Sequence, residues 1–308
     1  MNYFTHTVYI LTEQNEKYRQ LLEQSQLPDL KITDSPHEAT ILLASPPLAA
    51  QRLADFPKLQ WLQSIYAGVD ALQQVKISQN CQVTNVKGIF GQQIAEYVLG
   101  NSIAFYRHFS TYQQQQQSKQ WQPHDYESLN NKIMVILGTG SIACHLAKVA
   151  QVFGLEVIGI NRSGIPPKES PFSQVFHVQE LKLALNNANI LVNTLPATSE
   201  TQVLIDIQIL KECQGTVLFN VGRGSVLKEQ ELLHALDMGH IAHAFLDVFR
   251  QEPLKPEDVL WNHPNITVTP HIAALSFPEQ AFEVFSENYL LWRDGFSLMH
   301  NVDLSKGY

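Results

Sequence analysis

The segment VILGTGSIA, at residues 135–143, joins a short apolar run to a glycine-rich turn. Gly138 permits a tight turn after the predicted strand, and Gly140 lets the backbone approach a pyrophosphate because no Cβ stands in the way. The alanine that ends the segment allows the following helix to pack closely on the strand. The first amides of that helix, those of Ser141 and Ile142, would point at the anion together with the positive end of the helix dipole. This strand–turn–helix pattern predicts a dinucleotide-binding site.

Short apolar runs alternate with amphipathic stretches on both sides of this segment, which predicts an α/β fold with parallel sheets covered by helices. Six strands are predicted downstream, at residues 132–137, 156–160, 190–194, 216–220, 241–247 and 266–269. Six strands with intervening helices are typical of a doubly wound dinucleotide-binding domain. Four strands are predicted upstream, at residues 7–11, 41–44, 59–63 and 81–85.

The region between the two sets of strands predicts one long helix over residues 91–120, because it lacks proline and its apolar residues recur at helical spacing. This helix contains a glutamine tract at residues 113–117. We expect the tract to form a solvated helix face, since glutamine is a good helix former. A partner-binding segment is the alternative interpretation.

The composition is that of an acidic globular protein. With 308 residues, 44% of them hydrophobic, the chain is long enough for about two domains with sizeable cores. A formal net charge of −8 argues against nucleic acid as the main ligand. No apolar run approaches the roughly 20 residues of a membrane span, and we expect no secretory signal. Three cysteines without a CxxC pair favour reduced thiols and a cytoplasmic location over a zinc site or a disulfide framework.

The end of the second predicted strand indicates which cofactor is bound. An NAD site normally carries a carboxylate here, which binds the ribose 2′-hydroxyl. This chain has Asn161, Arg162 and Ser163 instead. A carboxylate would repel a 2′-phosphate, whereas an arginine and a hydroxyl can hold one through charge-assisted hydrogen bonds. The sequence therefore predicts NADPH in preference to NADH. The alternative is that Arg162 stacks on the adenine or is merely solvated.

Three polar side chains follow the last three predicted strands, at the sheet edge where ligands of open α/β sheets bind. Arg223 can bind a carboxylate bidentately and polarise a neighbouring carbonyl. His271, as imidazolium, can donate a proton to that carbonyl as hydride arrives. Glu252 can hydrogen-bond the other ring nitrogen and keep the imidazole protonated. This set of residues predicts the reduction of a 2-oxo acid without a metal ion.

Four motifs in the second half of the chain resemble, in order and spacing, those of the D-isomer-specific 2-hydroxyacid dehydrogenase family. They are VGRG at residues 221–224, LDVF at 246–249, EPL at 252–254 and TPHIAA at 269–274. The resemblance implies the same roles as above: Arg223 binds substrate, His271 is the acid–base group and Glu252 orients His271. It also implies that Asp247 faces the nicotinamide carboxamide.

The resemblance extends over essentially the whole chain and implies further binding residues. Tyr66, Ala67 and Gly68 belong to a segment, YAGVD, that is similar to the loop whose amides meet the substrate carboxylate. Tyr66 stands where a smaller residue is commoner, so it would contact the substrate side chain. Further cofactor contacts are implied for Leu195, Pro196, Thr201 and Val221.

The sequence also resembles the glyoxylate/hydroxypyruvate reductase branch of this family. The similarity lies in QWQP at residues 120–123, in NRS at 161–163 and in KGY at 306–308. This resemblance implies NADPH-dependent reduction of glyoxylate and hydroxypyruvate. Two alternatives remain: a phosphoglycerate or D-lactate type of dehydrogenase that uses NAD, and a nucleotide-sensing corepressor or other regulatory module on the same scaffold.

The family resemblance implies two doubly wound domains, Rossmann-like and flavodoxin-like, with a cleft between them. Residues 1–98 with 276–308 would form the substrate-binding domain, and residues 99–275 the dinucleotide-binding domain. The resemblance further implies a homodimer that associates through the cofactor domain and the long helix.

Overall fold

The computed structural model describes residues 6–73 and 75–304. The chain divides into two compact units, the first formed by Met1–Ile89 with Ser276–Tyr308 and the second by Phe90–Leu275. From the sequence, we predicted the first boundary after residue 98, whereas the structure places it between Ile89 and Phe90. The boundary lies earlier because the helix that follows Phe90 packs against another helix of the second unit. The KGY motif at 306–308 lies outside the described residues. The assignment of substrate and cofactor to the two units remains a prediction.

The described residues form two parallel sheets with helices between their strands. The strands of the first unit are β1 (His6–Leu11), β2 (Leu30–Ile32), β3 (Ile41–Ala44), β4 (Trp61–Ser64) and β5 (Gln82–Thr84). Those of the second unit are β6 (Ile133–Leu137), β7 (Glu156–Asn161), β8 (Gln174–His177), β9 (Ile190–Asn193), β10 (Thr216–Asn220), β11 (Ile241–Leu246) and β12 (Ile266–Val268). The helices are α1 (Asn15–Ser25), α2 (Pro46–Arg52), α3 (Gly91–Tyr106), α4 (Phe109–Gln117), α5 (Ser141–Val152), α6 (Leu181–Leu185), α7 (Ile207–Leu210), α8 (Glu229–Asp237) and α9 (Pro278–Arg293).

The sheet of the first unit has the strand order β2-β1-β3-β4-β5, which is the flavodoxin-like order. The sequence did not predict β2, because three residues are too few to display a period of two. The two prolines after β3 begin α2. Proline suits the first helical position because its missing N–H is one that the helix would leave unpaired anyway.

The last helix, α9, packs on the first sheet and completes its core. The buried indole of Trp61 stacks on Phe285 of α9, with ring centroids 5.3 Å apart. Its Nε1 donates to Thr84 Oγ1 at 2.8 Å, and the buried Asn288 of α9 donates to Gln63 Oε1 at 3.1 Å. These buried polar groups are hydrogen-bonded and so carry no cost of unsatisfied burial. The contacts make α9 an integral part of the first unit.

The sheet of the second unit has seven strands in the order β12-β11-β10-β9-β6-β7-β8. All neighbouring strands are parallel, and apolar clusters cover both faces. The prediction of an α/β doubly wound fold is therefore confirmed. The prediction of six strands was one too few, because β8 is a short edge strand of four residues, none of which is buried. The strand order reverses between β6 and β9, so ligands are expected above the carboxyl ends of these strands.

The prediction of one long helix over residues 91–120 was wrong. The helix is interrupted at His108, which adopts a left-handed conformation with a φ of 56°. Helix α4 starts at the next residue. The His108 ring Nε2 lies 3.0 Å from the carbonyl oxygen of Asp125, which holds the returning chain against the break. Local helix propensity could not reveal this bond between distant residues.

The glutamine tract lies at the end of α4. Four of its side chains are exposed, and Gln115 is buried. The Gln115 amide nitrogen lies 2.7 Å from His124 Nε2, so this side chain attaches the following segment to α4. Within the described residues, no helix is both long and apolar enough to cross a lipid bilayer.

Candidate active site

The glycine-rich turn that the sequence predicts to bind phosphate, hereafter the phosphate loop, connects β6 to α5. Gly138 has a φ of +105°, and a Cβ there would stand 2.8 Å from Thr194 Oγ1, so only glycine suits this position. Gly140 is the N-cap of α5, and no side chain caps this helix. A Cβ on Gly140 would meet no atom within 4 Å, so open space lies before the helix N-terminus. Unshared amides facing open space fit the pyrophosphate of a dinucleotide.

Asn161, at the end of β7, is hydrogen-bonded to the phosphate loop. Its Nδ2 donates to Thr139 Oγ1 at 3.0 Å, and its Oδ1 accepts the amides of Ser163 and Gly164 at 3.0 and 2.7 Å. Asn161 thus shapes the turn that carries Arg162. A direct contact between Asn161 and the cofactor remains a prediction.

The guanidinium of Arg162 is exposed at the edge of the second unit. It forms an ion pair with Glu200, with Nη1 and Oε2 2.9 Å apart. Both side chains are 62% exposed, so solvent screens their attraction. A cationic group that is accessible and held by a weak surface partner can exchange that partner for a phosphate.

The predicted cofactor segments after β9 and β10 are joined by a network that the sequence did not reveal. Buried Asn193 donates from Nδ2 to buried Asn220 Oδ1 at 2.8 Å, across the two strand ends. Asn193 also accepts the amides of Leu195 and Val221, each at 3.1 Å. Thr201 Oγ1 donates to the Pro196 carbonyl at 2.6 Å. Buried amides at the ends of two apolar strands are the signal that could have identified this network.

His271 and Glu252, which are 19 residues apart in the chain, form a hydrogen-bonded pair. His271 Nδ1 lies 2.8 Å from Glu252 Oε2, and Glu252 Oε1 accepts the Phe249 amide at 2.9 Å. The hydrogen bond to Glu252 raises the pKa of His271 above its ordinary value, against burial and the charge of Arg223. Burial would raise the pKa of Glu252, but hydrogen bonds from His271 and Phe249 hold it below its ordinary value. The pair therefore favours an imidazolium whose Nε2 can donate a proton.

The backbone around His271 is held by Asp247, which is only 2% exposed. Asp247 Oδ1 accepts the Ile272 amide at 2.8 Å and the Thr269 hydroxyl at 2.6 Å, and Oδ2 accepts the Ala273 amide at 2.9 Å. The His271 amide donates to the Asp247 carbonyl at 2.9 Å, while His271 itself has a φ of 56°. Asp247 therefore fixes the turn that presents the imidazole. A contact between Asp247 and the nicotinamide carboxamide remains a prediction.

Arg223 follows β10 in a turn that packs against the chain after β11. A Cβ on Gly224 would stand 2.0 Å from the Phe249 carbonyl carbon, so this close approach requires glycine. Arg223 Nη1 donates to the Gly222 carbonyl at 2.8 Å. Its positive charge lowers the pKa of both Glu252 and His271, although neither effect is the largest on that group. The structure thus brings all three predicted catalytic residues to one edge of the second sheet.

The predicted substrate loop belongs to the first unit, where it follows β4. Ser64 Oγ donates to the Tyr66 carbonyl at 2.8 Å and accepts the Tyr66 amide at 2.9 Å. Asn85 Nδ2 donates to the Ala67 carbonyl at 2.7 Å. These bonds fix the backbone that leads to Gly68. Among the described residues, no cluster of acidic, histidine or cysteine side chains has the arrangement of a metal site.

Comparison with known proteins identifies the family of this chain. The family model described as the NAD binding domain of the D-isomer specific 2-hydroxyacid dehydrogenases matches residues 99–273. The chain is 32% identical over 314 residues to glyoxylate/hydroxypyruvate reductase A of Serratia proteamaculans (strain 568), with 99% of each chain covered.

Two solved structures are similar over nearly their whole length. A D-isomer specific 2-hydroxyacid dehydrogenase family protein from Aeromonas salmonicida subsp. salmonicida A449 is 39% identical, with a TM-score of 0.91 and 97% and 99% of the two chains covered. A D-isomer specific 2-hydroxyacid dehydrogenase from Xanthobacter autotrophicus Py2, in complex with NADPH and MES, is 28% identical, with a TM-score of 0.88 and 99% and 100% covered. The resemblance noted in the sequence is confirmed: the chain belongs to the D-isomer specific 2-hydroxyacid dehydrogenase family and is an NAD(P)-dependent oxidoreductase.

Proposed function

We propose that this enzyme reduces glyoxylate and hydroxypyruvate to the corresponding 2-hydroxy acids with NADPH. The observation that carries the proposal is the contact of 2.8 Å between His271 Nδ1 and Glu252 Oε2. The charge of Arg223 lowers the pKa of both groups. The Serratia relative, named for these two substrates, supports the choice of substrate class.

Each of the three residues has a separate part in the proposed reaction. When bound, the nicotinamide supplies the hydride that adds to the carbonyl carbon of the substrate. Arg223 binds the substrate carboxylate and draws electron density from the adjacent carbonyl. His271 donates its Nε2 proton to the carbonyl oxygen, and Glu252 stabilises the imidazolium until that transfer. Tyr66, Ala67 and Gly68, in the loop after β4, are proposed as substrate-binding residues whose amides can donate to a carboxylate.

The dinucleotide is proposed to bind the second unit at the point where its strand order reverses. The pyrophosphate would lie at the N-terminus of α5, against the amides that the turn leaves unshared. The proposed contacts are Gly138, Gly140, Ser141, Ile142, Asn161, Arg162, Ser163, Leu195, Pro196, Thr201, Val221 and Asp247.

A substrate panel with each cofactor tests the proposed function. The rate of NADPH oxidation is measured with glyoxylate, hydroxypyruvate, pyruvate and phenylpyruvate, and then with NADH. Glyoxylate and hydroxypyruvate with NADPH are expected to give the highest kcat/KM. A preference for NADH and another oxo acid would favour a phosphoglycerate or D-lactate type of dehydrogenase. Binding of the cofactor without turnover of any oxo acid would favour a regulatory binding protein.

Arg162 is proposed to select NADPH over NADH. Replacing it with Gln removes the charge that would meet the 2′-phosphate, and a hydrogen bond to a charged group contributes about 1.5–3 kcal/mol. We expect KM for NADPH to rise roughly tenfold or more, whereas KM for NADH stays unchanged. Arg19→Gln is the matched control, because Arg19 forms a similar exposed ion pair with Asp34 at 2.6 Å. An unchanged ratio of the two KM values in Arg162→Gln would remove Arg162 from the cofactor site.

A homodimer is proposed to form through the region of α3, α4 and the segment after them. Trp121 is 99% exposed, and Phe109 and Tyr126 are also exposed nearby in the chain. Several large apolar side chains exposed within one segment favour an interface. Light scattering is expected to give a molar mass equal to that of two chains. In Trp121→Glu, the measured mass is expected to shift toward that of one chain. Val152→Glu, at another exposed apolar residue, is the control and keeps the mass of two chains.

A cytoplasmic location is proposed from the cysteines. Cys81, Cys144 and Cys213 are all unpaired. Burial raises the pKa of Cys81 and Cys213 to about 11, so these thiols stay protonated and unreactive. Unpaired thiols are typical of proteins in a reducing compartment.

A further inference from the structure

Three polar side chains meet at the carboxyl edge of the first sheet, and the steps of the reaction proposed above use none of their side-chain oxygen atoms. Glu13 follows β1, Ser45 follows β3 and Tyr66 follows β4. Ser45 Oγ donates to Glu13 Oε1 at 2.9 Å, and the Tyr66 hydroxyl donates to Glu13 Oε2 at 3.3 Å. We refer to these three residues as the Glu13 cluster.

The Glu13 cluster lies where a ligand of this sheet is expected. The strand order β2-β1-β3 reverses between β1 and β3, and ligands of open α/β sheets bind beyond the carboxyl ends of the strands at such a reversal. Glu13 and Ser45 follow the two strands that flank the reversal. Tyr66 begins the loop that we propose to bind the substrate carboxylate.

The hydrogen bonds determine what the cluster offers to a ligand. Ser45 is fully buried, and its hydroxyl is used by Glu13. Burial, together with the charge of Glu13 and the hydrogen bond to it, raises the pKa of Tyr66 to about 12. Tyr66 therefore remains a neutral donor toward Glu13. Each Glu13 oxygen accepts one of these bonds and keeps further acceptor capacity, since an ionised carboxylate has about four lone-pair sites. Because Glu13 is exposed, the cluster presents a fixed negative acceptor.

We propose that Glu13 determines which side chain the substrate can carry. This inference rests on the proposed function, in which the Tyr66 loop binds the substrate carboxylate. A hydroxyl on the carbon next to the carbonyl can donate to Glu13 in a charge-assisted hydrogen bond. A second anionic group, such as a carboxylate or phosphate, meets the negative charge of Glu13 and is repelled. The site thus takes 2-oxo acids with a hydrogen atom or a neutral, hydroxyl-bearing side chain and rejects dicarboxylic and phosphorylated ones.

The test compares four substrates in four forms of the protein. Wild type, Glu13→Gln, Glu13→Asp and the control Glu16→Gln are assayed with NADPH and glyoxylate, pyruvate, hydroxypyruvate or oxaloacetate. Glu16 is an exposed carboxylate on the neighbouring α1, so its replacement makes the same change in net charge. Glyoxylate has no side chain to face Glu13, so kcat/KM for each other substrate is divided by the glyoxylate value of the same variant.

In Glu13→Gln, we expect the oxaloacetate ratio to rise roughly tenfold, because a like charge near the substrate has been removed. The hydroxypyruvate-to-pyruvate ratio is expected to fall severalfold, because a neutral acceptor holds a hydroxyl less strongly than a charged one. Glu13→Asp retains the charge and keeps the oxaloacetate ratio low, and Glu16→Gln matches wild type. If Glu13 had a purely structural role, its replacement would lower kcat/KM for all four substrates in proportion and leave the ratios unchanged.

The outcomes separate this inference from the proposed function. Unchanged ratios in Glu13→Gln, with normal turnover of glyoxylate by the wild type, would overturn the role of Glu13 and leave the proposed function intact. Turnover of none of the four oxo acids by the wild type would overturn both. An equal rise of the oxaloacetate ratio in Glu13→Gln and Glu16→Gln would assign the effect to net charge and overturn the specific role of Glu13.

Discussion

His271→Asn is expected to lower kcat for oxo acid reduction by about a hundredfold or more, the usual contribution of a positioned general acid. Asparagine is similar in size and still hydrogen-bonds, but it has no proton to give at neutral pH. The affinity for NADPH, measured by fluorescence titration, is expected to change little, because the proposed pyrophosphate and ribose contacts belong to the turns that follow β6 and β7. His234→Asn, at an exposed position of α8, should match wild type. A kcat within a few-fold of wild type in His271→Asn would exclude His271 as the proton donor.

The pH profile gives the same assignment a second readout. Glu252 raises the pKa of His271, so the protonated donor persists to higher pH, and kcat for reduction is expected to fall as the pH rises through that pKa. Glu252→Gln keeps an acceptor for Nδ1 but removes the charge. The alkaline fall of kcat is therefore expected to move to lower pH. A profile that stays in place in Glu252→Gln would show that another group controls the fall.

The residues of the proposed reaction were accessible from sequence because parallel strands end at one edge. Arg223, Glu252 and His271 each follow a strand that the apolar pattern reveals, and the geometry of an open α/β sheet then brings them together. The structure adds the distance and the orientation between His271 and Glu252, which the spacing of 19 residues does not fix.

The parts that the sequence did not reveal depend on contacts between distant residues. The hydroxyl of Tyr97 on α3 lies 2.7 Å from Thr269 Oγ1, which donates to Asp247. Tyr97 and Thr269 are separated by 172 positions, and nothing in the local pattern of either residue points to the other. The break at His108 likewise coincides with a contact to a distant residue, the carbonyl of Asp125, 17 positions along the chain. Local periodicity predicts which elements form, and long-range polar contacts decide where they stop and what they orient.

Arg223→Ala is expected to lower kcat/KM for glyoxylate by at least about a hundredfold, because a bidentate contact involves two hydrogen bonds of about 1.5–3 kcal/mol each to a charged group. We expect a higher KM and also a lower kcat, since the arginine polarises the reacting carbonyl as well as binding the carboxylate. Arg223→Lys keeps the charge but lacks the planar guanidinium, so its activity should fall between those of wild type and Arg223→Ala. The dissociation constant of NADPH should stay close to that of wild type in both variants.

The pH profile of Arg223→Ala distinguishes a direct role from a general disturbance of the site. The charge of Arg223 lowers the pKa of His271, so its loss should let that pKa rise. The alkaline fall of kcat is then expected at higher pH than in wild type, opposite to the shift in Glu252→Gln. Displacement of the turn between β10 and Gly224 would instead weaken the contact between His271 and Glu252 and move the fall to lower pH. A shift to higher pH with intact NADPH binding therefore assigns the loss of activity to the missing guanidinium, and a shift to lower pH contradicts that assignment.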